Sequence, residues 1–170
     1  MNLRESTKDL HHAAERHVVG YSMAEGTIKD QWWADWLSAL YIIHSAIDDR
    51  MPPEMRRVQQ IAQDLAECQC TPRPMFAALR YAQRLNTEVR ALGAAYVFTG
   101  AHLMGGAITA KNIKDRLPTH HLHWEDRQQV VQAWKPLRER DDLSEFAMAG
   151  FQTVLLVMDE IVDHDGRNAR

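Results

Sequence analysis

The sequence predicts an all-α fold, a single-domain bundle of about seven helices. Apolar residues recur every three to four positions along almost the whole chain, and no stretch alternates convincingly with the period of two that a strand requires. The eight glycines and six prolines gather at a few places, which divide the chain into helical stretches joined by short links. A chain of 170 residues, 45% apolar and 25% charged, is long enough to bury one sizeable core.

Each predicted helix begins or ends at a recognisable signal. Gly20 and Gly26 mark a loop after the first helix, and the run TIKD at 27–30 resembles a capping box that opens the second. The run MPP at 51–53 stops the second helix, and prolines 72 and 74 interrupt the chain after the third. The predicted helices cover residues 3–17, 27–49, 53–67, 74–85, 87–116, 125–140 and 143–163. We expect one domain over residues 1–164 and a polar, flexible tail over residues 165–170.

The charge balance and the hydropathy argue against two classes of partner. The net charge of -3 gives no basis for binding nucleic acid or an anionic membrane. No apolar run reaches the roughly 18 residues that a membrane span needs, and the chain starts in a charged amphipathic pattern rather than a signal peptide. Cys68 and Cys70 are too close in sequence for a stabilising disulfide. We therefore expect a cytoplasmic monomer with no membrane or nucleic-acid partner.

Four polar residues of the first predicted helix share one face. Arg4, Lys8, His11 and Glu15 have offsets that place them on a single helical stripe. Two cations in the first half of a helix oppose its macrodipole, at a cost of roughly a few tenths of a kcal/mol each. An anionic ligand such as haem would offset this cost, because it offers an iron to the histidine and two propionates to the cations. The alternative is a solvated face that carries a partly buried histidine.

The predicted helix 87–116 contains a glycine-rich apolar run. Residues 94–108 read AAYVFTGAHLMGGAI and contain three glycines within seven residues. Each glycine inside a helix costs about 1 kcal/mol relative to alanine, so three together indicate the close approach of another group. A flat porphyrin lying against bare backbone and tight helix–helix packing are both consistent with this run.

Both runs, in this order, resemble motifs of the haem oxygenase family. The run LRESTKDLH at 3–11, followed by Ala14 and Glu15, is similar to the family's proximal signature, which ends in the axial histidine. The glycine run is similar to the distal helix of bacterial members, Tyr-Val-x-x-Gly-(small)-x-Leu-Gly-Gly. Weaker similarity at 40–47 and 56–65 extends the resemblance over most of the chain. The resemblance implies a haem oxygenase-like fold in which haem is sandwiched between a proximal and a distal helix.

The resemblance assigns roles on the proximal side of the haem. His11 matches the axial ligand of the iron, and Glu15 matches the acid beside it, which can orient the imidazole ring. The basic positions at the propionate edge are matched by Arg4, Lys8 and, from a later helix, Lys135 or Arg138.

On the distal side the resemblance holds in part. Gly100 and Gly105 match distal glycines, and Tyr96 matches a distal-helix tyrosine. Ala101 stands where many members carry an aspartate that holds a water network near bound oxygen, although some bacterial members also lack it. Met104 occupies one of the expected clustered glycines, unless the register slips by one residue. Both residues are therefore expected to line the haem.

The remaining histidines fall into two groups. His44 stands where the family has a tyrosine near the distal water, so we expect His44, or His102 in its place, to help organise that water. The alternative for either is a structural or surface histidine. Histidines 120, 121 and 123 lie in a linker beside a proline and are interpreted as a solvated loop.

The resemblance implies the oxidative ring opening of haem to biliverdin, expected to be the IX-α isomer, with release of CO and ferrous iron. Haem is then both substrate and cofactor, O2 is the oxidant, and an external donor of the ferredoxin, flavodoxin or reductase type supplies electrons. A non-catalytic haem sensor or storage protein is the main alternative, and Ala101 and Met104 leave it open. A di-iron or thiaminase-like enzyme is disfavoured because no Glu-x-x-His pair occurs. A helical interaction module would bind no haem.

Overall fold

The computed structural model describes residues 2–168, and every regular element within them is helical. The α-helices are α1 (Leu3–Arg16), α2 (Val18–Glu25), α3 (Asp30–Ile47), α4 (Val58–Glu67), α5 (Phe76–Ala82), α6 (Glu88–Gly100), α7 (Gly106–Ile113), α8 (Arg127–Trp134) and α9 (Ser144–Asn168). Short 3-10 turns occupy residues 48–50, 53–55, 120–122, 135–139 and 141–143. The predicted all-α fold is confirmed.

α6 and α7 belong to one continuous helix, Glu88–Ile113, which a π-helical segment at Ala101–Gly105 interrupts. We call it the π-containing helix. A π turn holds one residue more than an α turn. Met104 lies in this segment, which widens one turn without breaking the helix.

The π-containing helix is also long and apolar enough to cross a membrane by length and composition alone, contrary to the expectation from the lengths of the apolar runs. However, 67% of its most apolar window is buried inside the protein. Such burial is that of a core helix, whose apolar residues are covered by neighbouring helices rather than by lipid.

α9 is the central packing surface of the bundle. It packs along α1 on one side and along α6 on another, and it also contacts α3 and α5. Glycines allow α6 and α9 to approach closely, because a Cβ built on Gly93 would lie 2.4 Å from Phe146 and one on Gly150 would lie 2.9 Å from Val97. The positions of α1 and the π-containing helix are therefore both set by α9.

The segment predicted as the first loop contains a helix, α2. His17 caps it, because the Val19 N–H donates to His17 Nδ1 at 3.2 Å. At the other end, the N–H groups of residues 27 and 28 donate to the Ser22 carbonyl around Gly26, whose φ of 76° is left-handed. Thr27 therefore belongs to the C-terminal end of α2, and the predicted capping box does not form. α3 begins at Asp30 without a side-chain cap.

The other helix boundaries differ from prediction in three places. The predicted helix 53–67 is a 3-10 turn followed by α4, and the predicted helix 125–140 is α8 followed by a 3-10 turn that contains a proline. The predicted tail begins inside α9, which continues through Asn168, while residues 169 and 170 lie outside the described part of the chain.

Asp165, the first residue of the predicted tail, is held in place by three donors. Its carboxylate accepts hydrogen bonds from Arg73 Nη1, Lys29 Nζ and Trp32 Nε1 at 2.8 to 3.0 Å. Burial alone would raise the pKa of this carboxyl, but the three hydrogen bonds outweigh it and lower the pKa to about 2. An ordered helix end therefore replaces the start of the tail.

Candidate functional site

We call the region between α1 and the π segment the slot. α1 and the π-containing helix both pack against α9, and within residues 2–168 α1 has no extensive packing against the π segment. At one end α2 connects α1 to α7, where Asn112 Nδ2 donates to the Ala24 carbonyl. At the other end the 3-10 turn at 135–139 contacts both α1 and α6. α2 and the 135–139 turn thus each connect the two walls of the slot.

His11 lies on α1 with its imidazole available. Its side chain is 52% exposed, and neither ring nitrogen makes a hydrogen bond to any residue in the range 2–168. The ring lies edge-on to Phe151 of α9, with the ring centroids 5.6 Å apart. Glu15 Oε1 is 3.6 Å from His11 Nε2, close enough to orient the ring electrostatically but too far for a hydrogen bond.

A group of potential metal donors also centres on His11. Ligand atoms of His11, His12 and Glu15 lie within 4.8 Å of one another, and no other such group of three occurs in the described part of the chain. All three residues are at least partly exposed. Because neutral imidazole is a common ligand for iron, the donor set fits a metal bound on the slot side of α1.

The predicted propionate partners are cations without acidic partners. None of these four side chains forms an ion pair with a residue in 2–168, and they are exposed or half-buried: Arg4, Lys8, Lys135 and Arg138. The contact between the 135–139 turn and α1 places the two pairs on neighbouring elements. Unpaired Arg and Lys side chains at the edge of a slot can pair with the carboxylates of a ligand.

The opposite wall of the slot carries an apolar strip. Ala101, Met104, Gly105 and Ile108 follow the spacing of one helix face and are exposed, Met104 by 56% and Ile108 by 60%. A Cβ built on Gly105 would meet nothing within 4 Å. We call these four residues the open strip. Their apolar, partly bare surface suits a flat apolar ligand.

Gly100 and Tyr96 both pack against Trp134 of α8, and their assignment to the haem site stays a prediction. A Cβ on Gly100 would lie 2.8 Å from the Trp134 ring, so this glycine is required by packing against α8. Tyr96 stacks on the same indole with centroids 5.5 Å apart, and Trp134 Nε1 donates to the Tyr96 carbonyl at 3.2 Å. Gly106 similarly faces Leu122. Tight helix packing therefore explains two of the three glycines, and only Gly105 leaves open space.

His44 and His102 are brought together inside the core. His44 is fully buried; its Nδ1 lies 2.9 Å from Asp48 Oδ1, and its Nε2 lies 3.0 Å from His102 Nε2. Both ring nitrogens of His44 are thus occupied by protein groups, and the expectation that His44 or His102 helps organise distal water stays a prediction. His121, predicted to lie in a solvated loop, is 1% exposed and bonds Asp64.

Four residues that matter here were not singled out from the sequence. They are Asp48, Asp64, Trp134 and Phe151. The only local signal was the i, i+4 spacing of His44 and Asp48 on one helix face. The others act across distances of tens of residues, where a single sequence carries no contact information.

Two comparisons by sequence gave different results. A family model described as Heme oxygenase matches residues 1–133. No protein with a curated description matches the sequence.

Solved structures share the fold at low sequence identity. Haem oxygenase-2 from the cyanobacterium Synechocystis in complex with haem and NO superposes with a TM-score of 0.80 at 19% identity, over 95% of this chain and 84% of that one. Haem oxygenase-1 from the same organism in complex with haem gives 0.76 at 17%, over 97% and 91%. Haem oxygenase from Leptospira interrogans gives 0.75 at 19%, over 95% and 97%. With the family model matching more than three quarters of its length, the chain belongs to the haem oxygenase family.

Proposed function

We propose that this protein is a haem oxygenase that opens haem to biliverdin, with release of CO and ferrous iron. The observation that carries the proposal is the half-exposed imidazole of His11, which makes no hydrogen bond to a residue in 2–168, together with the exposed apolar residues of the open strip. A purely structural histidine would be buried or paired, and a solvated helix face would not be opposed by exposed apolar residues.

The residues present fit a haem. The His11 imidazole would bind the iron, and Glu15 would hold the ring nitrogen that the iron does not take. The propionates would pair with the unpaired cations at the slot edge, which are Arg4, Lys8, Lys135 and Arg138. The bare backbone at Gly105 would allow close approach of the ring face.

When bound, haem supplies the iron that activates O2 and also the porphyrin carbon that is oxidised. The protein would contribute the imidazole of His11, which donates to iron less strongly than a thiolate would. It also contributes a distal wall without an acid, because the open strip bears only alkyl and thioether side chains, Ala101 and Met104 among them. Such a wall limits water access and offers no carboxyl group that could deliver protons without control.

Electrons come from an external donor in this proposal, of the ferredoxin, flavodoxin or reductase type. We propose a cytoplasmic monomer and the IX-α isomer as product. The isomer depends on how the haem is rotated in its plane, which the cations at the slot edge would set.

The test is a single-turnover experiment. The purified protein is mixed with one equivalent of haem, reduced in air with a ferredoxin system or ascorbate, and followed by absorption and CO detection. We expect a Soret band on mixing and its loss on reduction, with a rise in the biliverdin region. The H11A variant serves as the control and should give no comparable turnover. Absence of haem binding by the wild type would refute the proposal.

A haem sensor or storage protein is the second candidate, and Ala101 favours it because no distal carboxylate is present to hold a water network. The same experiment separates the two functions. A stable ferric or ferrous–oxy spectrum under reductant in air would identify a haem binder without ring-opening activity.

A further inference from the structure

A buried row of polar side chains lies within the core beside the π segment. His44, His102 and His121 are 0%, 4% and 1% exposed. Asp48 accepts from His44 at one end of the row, and Asp64 accepts from His121 at the other. Five buried ionisable side chains in contact represent a large desolvation cost, which a folded protein tolerates only where the groups satisfy one another.

The Asp48 carboxylate determines which ring nitrogen of His44 carries the hydrogen. Its carboxylate also accepts the backbone N–H groups of Arg57 and Val58, at 2.7 and 2.8 Å. Burial alone would raise the pKa of Asp48, but hydrogen bonds from His44 and from these N–H groups outweigh it and hold the pKa below its usual value. An ionised carboxylate only accepts, so His44 Nδ1 carries the hydrogen that donates to it.

His44 in turn decides the tautomer of His102. When His44 is neutral, its hydrogen on Nδ1 leaves Nε2 bare, so His102 Nε2–H donates in the 3.0 Å contact. Burial lowers the pKa of His102 well below its usual value, and positive charge on His121, His44 or Arg57 lowers it further, so His102 is neutral. Its Nδ1 is therefore an unprotonated acceptor, and within residues 2–168 it has no hydrogen-bond partner.

His121 stands apart from this pair. Its ring meets that of His102 edge-on with centroids 5.0 Å apart, and its Nδ1 hydrogen bonds only to Asp64. Among the described residues the three rings do not bring three nitrogen atoms close enough to share a metal ion. The linked unit is thus Asp48–His44–His102, and Asp64–His121 is a separate pair beside it.

His102 connects two surroundings. It lines a cavity of about 300 Å³ whose charged residues are all basic, namely Lys111, Lys114 and Arg127. The cavity is open to solvent and large enough for several water molecules. In sequence His102 directly follows Ala101, which belongs to the open strip of the slot. One imidazole of the π segment therefore lines a solvent-open cavity, and the residue before it in the chain belongs to the open strip.

We propose that His102 and His44 form a proton relay of the π-containing helix, which takes the place of a distal carboxylate. His102 Nδ1 takes a proton from a hydronium ion in the cavity, which is left as water, while the Nε2 proton of His102 passes to His44, leaving neutral His102 and a His44 imidazolium beside Asp48. The reverse movement returns the proton to water at His102 Nδ1, so that proton number is conserved. The relay rests on the proposed function, since ring opening consumes protons. His44 and Asp48 are positioning residues in it.

The first test uses the protein without haem. Long-range 1H–15N NMR spectra of the histidine rings should show His44 protonated at Nδ1 and His102 at Nε2. In D48N the amide can donate to His44 Nδ1, which moves the His44 hydrogen to Nε2 and the His102 hydrogen to Nδ1. D64N is the matched control, because it makes the same change at the carboxylate that bonds His121. It should leave both tautomers unchanged. A wild-type His102 protonated at Nδ1 would overturn the relay.

The second test uses the haem-loaded protein. We expect D48N and H102A to bind haem as tightly as the wild type, with an unchanged ferric Soret band, and to open it about tenfold more slowly or worse. D64N should keep the wild-type rate. Wild-type rates in both D48N and H102A would overturn the relay while leaving the proposed function intact. If the wild type binds haem without opening it, the proposed function fails, and the tautomers measured by NMR still decide whether the pair is arranged as a relay.

Discussion

The two walls of the slot are built in opposite ways. On α1 the site residues are half-exposed, and His11 makes no hydrogen bond to the described residues. On the π-containing helix, most residues are buried against α8, α9 and α3, and only the open strip reaches the slot. The proximal face can therefore change with little effect on stability, whereas most changes on the distal helix alter the core. This difference predicts which variants separate ligand binding from folding.

Replacement of His11, the proposed iron ligand, should give the largest effect. In H11A we expect ring opening to fall by more than the roughly 10–100-fold that loss of a partner of a metal ligand costs, because the proposed ligand of the iron is removed. The free energy of unfolding should stay within about 0.5 kcal/mol of wild type, since the side chain is half-exposed. Haem titrations and chemical denaturation measure the two quantities. H12A is the matched control, and an equal loss of activity in it would contradict the assignment.

Acidification should destabilise the distal side of the protein. Burial lowers the pKa values of His102 and His121, so both are neutral when folded but take up protons near pH 6.5 when unfolded. Stability is thus complete above pH 6.5 and falls as the pH drops below it, by up to about 1.4 kcal/mol per pH unit for each histidine. Urea unfolding between pH 8 and 5 measures this slope.

One variant on each wall tests which histidines cause the pH dependence of stability. H102L should flatten the slope, because the unfolded state then has one proton fewer to gain. H12N, on the partly exposed face of α1, should leave it unchanged. A stability that stays constant from pH 8 to 5 in the wild type would show that the buried histidines are not neutral in the folded state.

The two distal glycines should respond to alanine with opposite signs. In G100A the new Cβ meets the Trp134 ring at 2.8 Å, and overpacking of about 1–3 kcal/mol exceeds the helix-propensity gain of about 1 kcal/mol. In G105A nothing lies within 4 Å, so stability should rise by up to about 1 kcal/mol while haem binds more weakly. Thermal unfolding and haem titration measure both changes. A stabilised G100A would contradict the packing role of that glycine.

Removal of the slot-edge cations should give the smallest effect. R4A and K8A should each weaken haem binding about two- to fivefold, as expected for exposed ion pairs, and the loss should shrink at high salt. Stability should not change, because neither side chain forms an ion pair with a residue in 2–168. R16A, exposed in the last turn of α1, is the control and should bind haem normally. Equal affinity in all three variants would remove these cations from the propionate contacts.

Much of the architecture was predictable because it follows from local periodicity. The 3.6-residue repeat predicted an all-helical chain, and the offsets of Arg4, Lys8, His11 and Glu15 predicted a shared face of α1. The capping box predicted at 27–30 does not form, because the N–H of Thr27 already closes α2 after Gly26. Where two helix-end signals compete for the same residue, the neighbouring helix that forms determines which of them is used.

By itself the sequence determined the helical class, the exposed position of His11 on α1 and the glycine-rich character of the opposite helix, because these depend on residues within a few turns of one another. Only the tertiary structure decided that Gly100 faces an indole while Gly105 faces open space, and that Met104 lies in a π segment. It alone also joined His44 to His102 across 58 residues. Such contacts arise from the way whole helices pack on α9 and on one another, and the spacing within a single helix does not specify them.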